Sequence, residues 1–151
     1  MAIIGHIAAP HHRLPTTLYA FLAQKEQKIL TELDRSIYVD VDPIWMIKAI
    51  DNILSNAIKY SENGKSIWID LIKNSCNLIL TIRDEGQGIS ESDKDKLFKK
   101  FSRINSIPTD GESSTGLGLY IAKDIIEKHL GEISVESHLK KGAKFTIKLP
   151  L

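Results

Sequence analysis

The sequence predicts an α/β (α+β) two-layer sandwich: a mixed, mainly antiparallel sheet with helices on one face. Three observations lead there. Apolar residues alternate with polar ones in four separate runs: Ile67, Ile69 and Leu71; Leu78, Leu80 and Ile82; Ile133 and Val135; and Phe145, Ile147 and Leu149. Two longer stretches carry apolar residues at helical spacing instead, one after Asp42-Pro43 and one from Leu119. No internal repeat, low-complexity tract or long linker interrupts the 151 residues, and 42% hydrophobic content suffices for one sizeable core.

Residues 1–15 read as an N-terminal extension or linker remnant. Met1 to Ala9 is mildly apolar, but too short to span a bilayer and without the basic start of a signal peptide. The neighbouring His11 and His12 read as a surface pair rather than a metal site. Residues 16–151 form the domain. From Thr16 to about Glu26, Leu18, Phe21 and Leu22 fall at helical spacing, and Lys28 to Leu33 fits a short strand. Asp42-Pro43 then sets a capping residue before a proline at the first helical position. Helical spacing continues through Ile47, Ile50, Leu54, Ala57 and Ile58 to about Tyr60, and Ser61-Glu62-Asn63-Gly64 ends the helix. Two adjacent antiparallel strands follow across Asn74 to Asn77.

Residues 84–118 are rich in Gly, Ser and Asp, broken only by the short amphipathic piece Lys94 to Phe101. A tract of that length inside a compact domain is a functional lid or is disordered. Leu119, Ala122, Ile125, Ile126 and Leu130 restore helical periodicity, with Gly131 expected as the helix-ending residue. Two closing strands flank the turn at Lys141-Gly142.

Charge and cysteine content narrow the function. Twenty basic and nineteen acidic residues give +1, so no broad attraction to nucleic acid or anionic lipid is expected, and any phosphate binding must be local. The single cysteine, Cys76, makes neither an internal disulfide nor a Cys-x-x-Cys site, and a reducing, cytoplasmic setting fits best.

On the long helix, Asn52, Asn56 and Lys59 are spaced by four and three, within about 60° of one another on one face. Carboxamide oxygens suit a hard cation shared with phosphates, and a lysine one turn on can neutralise phosphate charge. A solvated amphipathic face explains an arbitrary Asn, Asn, Lys triple better, so this pattern needs support. In the loop Asp84-Glu85-Gly86-Gln87-Gly88, after a strand, the glycines allow positive backbone angles and close approach of a flat ligand, and the Asp84 carboxylate can accept from an exocyclic amine such as that of adenine. The same loop also reads as a hairpin turn or bulge. Thr115-Gly116-Leu117-Gly118 precedes a helix whose first N–H groups can hold an anion. It matches neither the Walker pattern nor the dinucleotide fingerprint, and alone it reads equally as a flexible linker.

Taken in order, these pieces resemble the boxes of the sensor histidine kinase catalytic domain, within the superfamily shared with type II topoisomerases, mismatch-repair ATPases and a heat-shock chaperone. The likeness spans about Ile37 to Leu149. An asparagine box runs from Asp51 to Ser61, a first glycine box is Asp84-Glu85-Gly86-Gln87-Gly88-Ile89, and a phenylalanine box runs from Leu97 to Arg103. The second glycine box is Thr115-Gly116-Leu117-Gly118-Leu119, and Lys141 to Thr146 is similar to the family's final strand entry.

The resemblance implies ATP and Mg²⁺ as cofactors. It implies that Asn52 and Asn56 ligate Mg²⁺, Lys59 contacts phosphate, Tyr60 lies against the base and Asp84 binds the adenine amino group. Gly86, Gly88, Ile89, Thr115, Gly116, Leu117, Gly118, Leu119 and Thr146 would complete the nucleotide pocket. Ser90 to Thr115 would be a mobile ATP lid, packed down by Phe98 and Phe101, with Arg103 reaching the γ-phosphate. Asp51 stands where the chaperone and topoisomerase branches carry a glutamate base, and Lys59-Tyr60-Ser61 favours the kinase branch, so hydrolysis is not expected as the main function.

No histidine lies in a His-Glu/Asp-x-x-x-Pro context: His6 lacks the adjacent acid, and His129 and His138 sit near a helix end and a turn. The phosphoacceptor is therefore expected on a histidine-bearing dimerisation domain outside this chain, with a response regulator as indirect partner. A monomer is expected here. Rival readings are an ATP-sensing regulatory module without catalysis, a serine kinase of the anti-sigma type, and an ATPase clamp of the mismatch-repair kind.

Overall fold

The computed structural model describes residues 16–102, 109 and 115–151. Helix α1 (Thr16–Gln24) leads through a tight turn into strand β1 (Lys28–Leu33), and a loop reaches the long helix α2 (Pro43–Tyr60). Strands β2 (Ser66–Lys73) and β3 (Asn77–Asp84), the single-turn helix α3 (Glu91–Lys94), helix α4 (Gly118–Lys128) and strands β4 (Glu132–Ser137) and β5 (Ala143–Pro150) complete the order. The sheet runs β1-β2-β3-β5-β4, with β1 parallel to β2 and every other pair antiparallel. A parallel neighbour needs a crossover, and α2 supplies it between β1 and β2.

Alternation decides which sheet face is covered. Ile67, Ile69 and Leu71 of β2, Leu78, Leu80 and Ile82 of β3, and Phe145, Ile147 and Leu149 of β5 are all buried. Facing pairs such as Ile69 with Ile82 and Ile82 with Phe145 continue this layer across the strands. The other face is polar: Arg83 stacks over the Trp68 ring at 4.1 Å, and Lys144 and Lys148 approach Glu136 and Glu132 at 3.5 and 3.9 Å. The helices therefore lie on one face only, as expected.

Helix α2 begins where the sequence places it. The Asp42 carboxylate accepts from the N–H groups of Ile44 and Trp45 at 2.9 and 3.2 Å, and Pro43 occupies the first turn, where its missing donor costs nothing. Its buried stripe is Met46, Ala49, Ile50, Ile53, Leu54, Ala57 and Ile58, broader than the expected one, while Ile47 is only half-buried. Helix α4 packs antiparallel on α2: Gly118 lies beside Asn52 at one end, and His129 Nε2 accepts from the Asp42 N–H at 3.1 Å at the other.

Three local expectations are corrected. Leu130 is 85% exposed, not part of the α4 stripe, and itself takes a left-handed φ of 61° at the helix end where Gly131 was expected. Gly131 is required for space instead, because a Cβ there would meet Leu149 Cδ2 and the Lys148 carbonyl, each at 2.7 Å. The amphipathic piece assigned to Lys94–Phe101 starts earlier, with Ser90 capping α3 through its hydroxyl, and continues as i→i−3 turns through Ser102.

Removing buried methyl groups at the α2 contact layer should cost far more than removing them outside it. Ile53→Ala is expected to lower unfolding free energy by about 2–5 kcal/mol, against under about 1 kcal/mol for Ile72→Ala on the exposed part of β2, as read by urea denaturation.

Candidate functional site

The site assembles around the end of β3. Asp84 is the last residue of that strand and faces inward, only 6% exposed. Its Oδ1 accepts from the Gly86 N–H at 2.8 Å and from the Ala143 N–H of β5 at 3.2 Å, which fixes the carboxyl plane. Gly86 stays within ordinary backbone space, contrary to expectation. Its missing side chain serves close approach instead, since a Cβ would lie 2.5 Å from the Tyr60 carbonyl at the end of α2. Gly88 does adopt a positive φ of 73° and abuts the His138 carbonyl, while Gly142 abuts the carbonyl of Asp84 itself. Ser137 completes this wall: its hydroxyl accepts from the Ile89 N–H at 2.8 Å and donates to the Gly142 carbonyl at 2.6 Å.

Helix α2 brings Asn52, Asn56, Lys59 and Tyr60 to half-buried positions, and α4 begins against the first of them. A Cβ on Gly118 would stand 3.4 Å from Asn52 Oδ1, so the α4 start and the asparagine face are in contact. Asn52 Nδ2 is buried without a hydrogen-bond partner among the described residues. An unpaired buried amide costs about 1–3 kcal/mol, and a half-turn of the carboxamide would present its oxygen there. An oxygen-rich ligand answers the first arrangement and a hard cation the second. Gly116 has a φ of 69° and packs on the Ser102 carbonyl, Leu117 stands at the N-cap without a side-chain cap, Leu119 is buried and Thr115 is exposed. The first N–H groups of α4 thus lack a side-chain cap, an arrangement that can receive an anion.

Not every expected residue converges. Thr146 alternates with the inward Phe145 and Ile147, pairs with Thr81, and so lies on the outer sheet face; Ala143 is the β5 residue that touches Asp84. Phe98 packs edge-on against Phe145 at 6.5 Å, but Phe101 is 67% exposed, so only one of the two phenylalanines anchors. Arg103, with residues 104–108 and 110–114 of the expected lid, lies outside the described residues, as do residues 1–15. Among the described residues no group of three or more His, Cys, Asp and Glu side chains could hold a metal. A separate groove lined by Trp45, Asp124, Ile125, Lys128 and His129 lies at the far end of the α2–α4 pair and contains none of the expected site residues. Sequence reasoning missed Lys25, Gln27 and Ser137, whose partners lie far away in the chain.

Burial pushes the Asp84 carboxyl up from its ordinary 3.8 to about 6, outweighing the opposing pull of the Gly86 and Ala143 N–H groups. A folded value above the unfolded one means that the group's contribution to stability is fully present below about pH 4 and is lost as pH rises through about 6. Unfolding of wild type and Asp84→Asn should therefore diverge with pH. The difference is expected to move against wild type by about 3 kcal/mol from about pH 4 to about pH 7, and a pH-independent difference would contradict the buried carboxyl.

Residues 41–151 match the family described as histidine kinase-, DNA gyrase B- and HSP90-like ATPases. The chain is 39% identical over 119 residues to the sensor histidine kinase WalK of Bacillus subtilis, covering 78% of this chain and 20% of that protein. It is 41% identical over 105 residues to the sensor protein SrrB of Staphylococcus aureus, covering 70% of this chain and 18% of that one. Among solved structures, a mycobacterial sensor histidine kinase, MprB, superposes with a TM-score of 0.77 at 26% identity, covering 89% of this chain and 90% of the solved one. The chain thus spans about one fifth of the length of the curated relatives it matches. No described helix is long and apolar enough to cross a membrane. With its sheet order, glycine loops and asparagine helix in the arrangement described, the chain belongs to the family of histidine kinase-, DNA gyrase B- and HSP90-like ATPases.

Proposed function

We propose that this chain is the ATP-binding catalytic domain of a two-component sensor histidine kinase, which transfers the γ-phosphate of ATP to a histidine on a separate dimerisation domain. Two arrangements support the reading: the buried Asp84 carboxyl held by the Gly86 and Ala143 N–H groups, and the Asn52 amide, unpaired among the described residues, beside an α4 start without a side-chain cap. The first suits an adenine amine, the second suits phosphate oxygens and a cation. Likeness to proteins named as sensor histidine kinases favours this branch over the other ATPases of the family.

In this reading Asp84, with Oδ1 held by two N–H groups, accepts from the adenine amino group, and Tyr60 lies beside the base. Gly86 and Gly88, packed on the Tyr60 and His138 carbonyls, shape the wall around Asp84. Asn52 and Asn56 would hold Mg²⁺, which when bound neutralises phosphate charge and orients the γ-phosphate for in-line attack. Lys59 contributes positive charge to the phosphates, and the N–H groups from Gly116 to Leu119 receive phosphate oxygens. The chain's residues thus act by positioning and electrostatics, leaving the attacking nitrogen to its partner domain. Arg103 is the candidate for contacting the γ-phosphate. The response regulator is an indirect partner, reached through the phosphohistidine, and a cytoplasmic setting follows from that role.

Two measurements test this. Asn56→Ala should remove the Mg²⁺-dependent part of ATP affinity while leaving the fold intact by circular dichroism, and unchanged Mg²⁺ dependence would reject the ligand assignment. Incubation with ATP and an isolated histidine-bearing hairpin domain should place an acid-labile, base-stable phosphate on the hairpin. An acid-stable phosphate would instead indicate a serine kinase, and steady phosphate release without transfer would indicate an ATPase.

A further inference from the structure

Carbonyl groups converge where α2 ends. The last four C=O groups of a helix have no partners within it, and here those of Ile58 and Lys59 are met from the turn between α1 and β1. Lys25 Nζ donates to the Ile58 and Lys59 carbonyls at 3.0 and 3.1 Å. Gln27 Nε2 donates to those of Ile58, Ser61 and Glu62 at 3.1, 2.9 and 3.2 Å. Lys25 is completely buried, and Glu26 between the two adopts a φ of 51°, so the turn delivers both side chains to the same place. A buried ammonium is tolerated only where acceptors surround it, and positive charge at a helix C-terminus also complements the helix dipole.

The third acceptor of Lys25 is not part of that helix end. Its ammonium donates to the Thr109 hydroxyl at 2.7 Å. Thr109 in turn reaches the Lys59 carbonyl through both its N–H and its hydroxyl, each at 3.1 Å, and the hydroxyl also lies 3.2 Å from the Ser61 carbonyl. A hydroxyl has one proton, so it donates to one of these carbonyls at a time while accepting from the ammonium. On the opposite side, the Tyr60 carbonyl accepts from the Gln87 N–H at 3.4 Å and Gly86 packs against it. Three consecutive carbonyls, of Lys59, Tyr60 and Ser61, are thereby fixed from two directions by groups far away in sequence.

We propose that Lys25 and Thr109 are positioning residues for the nucleotide site: by holding the backbone on either side of Tyr60 they set where the Lys59 and Tyr60 side chains meet the nucleotide. The inference rests on reading α2 as the nucleotide helix. It distinguishes Thr109 from a residue that merely caps a helix, because the hydroxyl adds little to the core yet bridges Lys25 to the Lys59–Ser61 backbone.

Calorimetric titration of Mg-ATP and thermal unfolding of the full 151-residue chain test it, with Thr109→Val, Thr109→Ser, Lys25→Met and the double variant. Thr109→Val is expected to weaken Mg-ATP binding about fivefold while moving the unfolding midpoint by less than about 2 °C. Thr109→Ser, which keeps the hydroxyl, should bind within about twofold of wild type. Lys25→Met should weaken binding further, and adding Thr109→Val to it should cost little more, because the two act through one network. Wild-type affinity in Thr109→Val, or losses that multiply in the double variant, would overturn the inference while leaving the nucleotide site standing. A wild-type chain that binds no Mg-ATP would overturn the nucleotide reading and this inference with it.

Discussion

Where β3 ends, three stretches of backbone meet with almost no side chain between them: the last turn of α2, the loop after Asp84 and the β4–β5 turn. Gly86 lies against the Tyr60 carbonyl, Gly88 against that of His138, and Gly142 against that of Asp84. A methyl group at any of the three would force these strands apart, so close backbone packing is the constraint from which the site follows. It brings the Ala143 N–H onto Asp84 Oδ1 and lets Ser137 bridge Ile89 to Gly142. The same packing leaves Asp84 buried and raises its carboxyl to about 6, so the residue expected to read the base is held near its protonation midpoint in mildly acidic solution.

The α2–α4 pair supplies the other half. Because α4 runs antiparallel to α2 and starts at Gly118, its first N–H groups, without a side-chain cap, stand beside Asn52. Two features that cost stability, an Asn52 Nδ2 unpaired among the described residues and a helix start without a side-chain cap, thus lie together. A polyanion with its counter-cation would relieve both at once. This pairing bears on nucleotide binding, whereas the kinase branch is favoured by the likeness to sensor histidine kinases.

Much of this was legible in the sequence. Strict alternation in β2, β3 and β5 identified the covered sheet face, and Asp42-Pro43 marked the start of α2, because both signals are local and strong. Thr146 was misplaced because motif spacing does not state which sheet face a residue takes, and strand alternation sends it away from Asp84. Leu130 was taken for core on helical spacing, whereas the chain had already left the helix at Lys128. Lys25 and Gln27 gave no signal, since each finds its partners more than thirty residues away and only the folded chain shows the meeting. Gly86 was expected to allow a positive backbone angle and close approach of a ligand; it takes no positive φ, and the close approach it permits is that of the Tyr60 carbonyl.

The central claim, that Asp84 in its glycine cage reads adenine, is tested most directly by titrating the chain with ATP and GTP in Mg²⁺ across pH. The account predicts saturable binding selective for ATP, weakening as pH falls through about 6, where the carboxyl takes up a proton and can no longer simply accept from the amine. Equal affinity for the two nucleotides, or no binding by a folded chain, would contradict it.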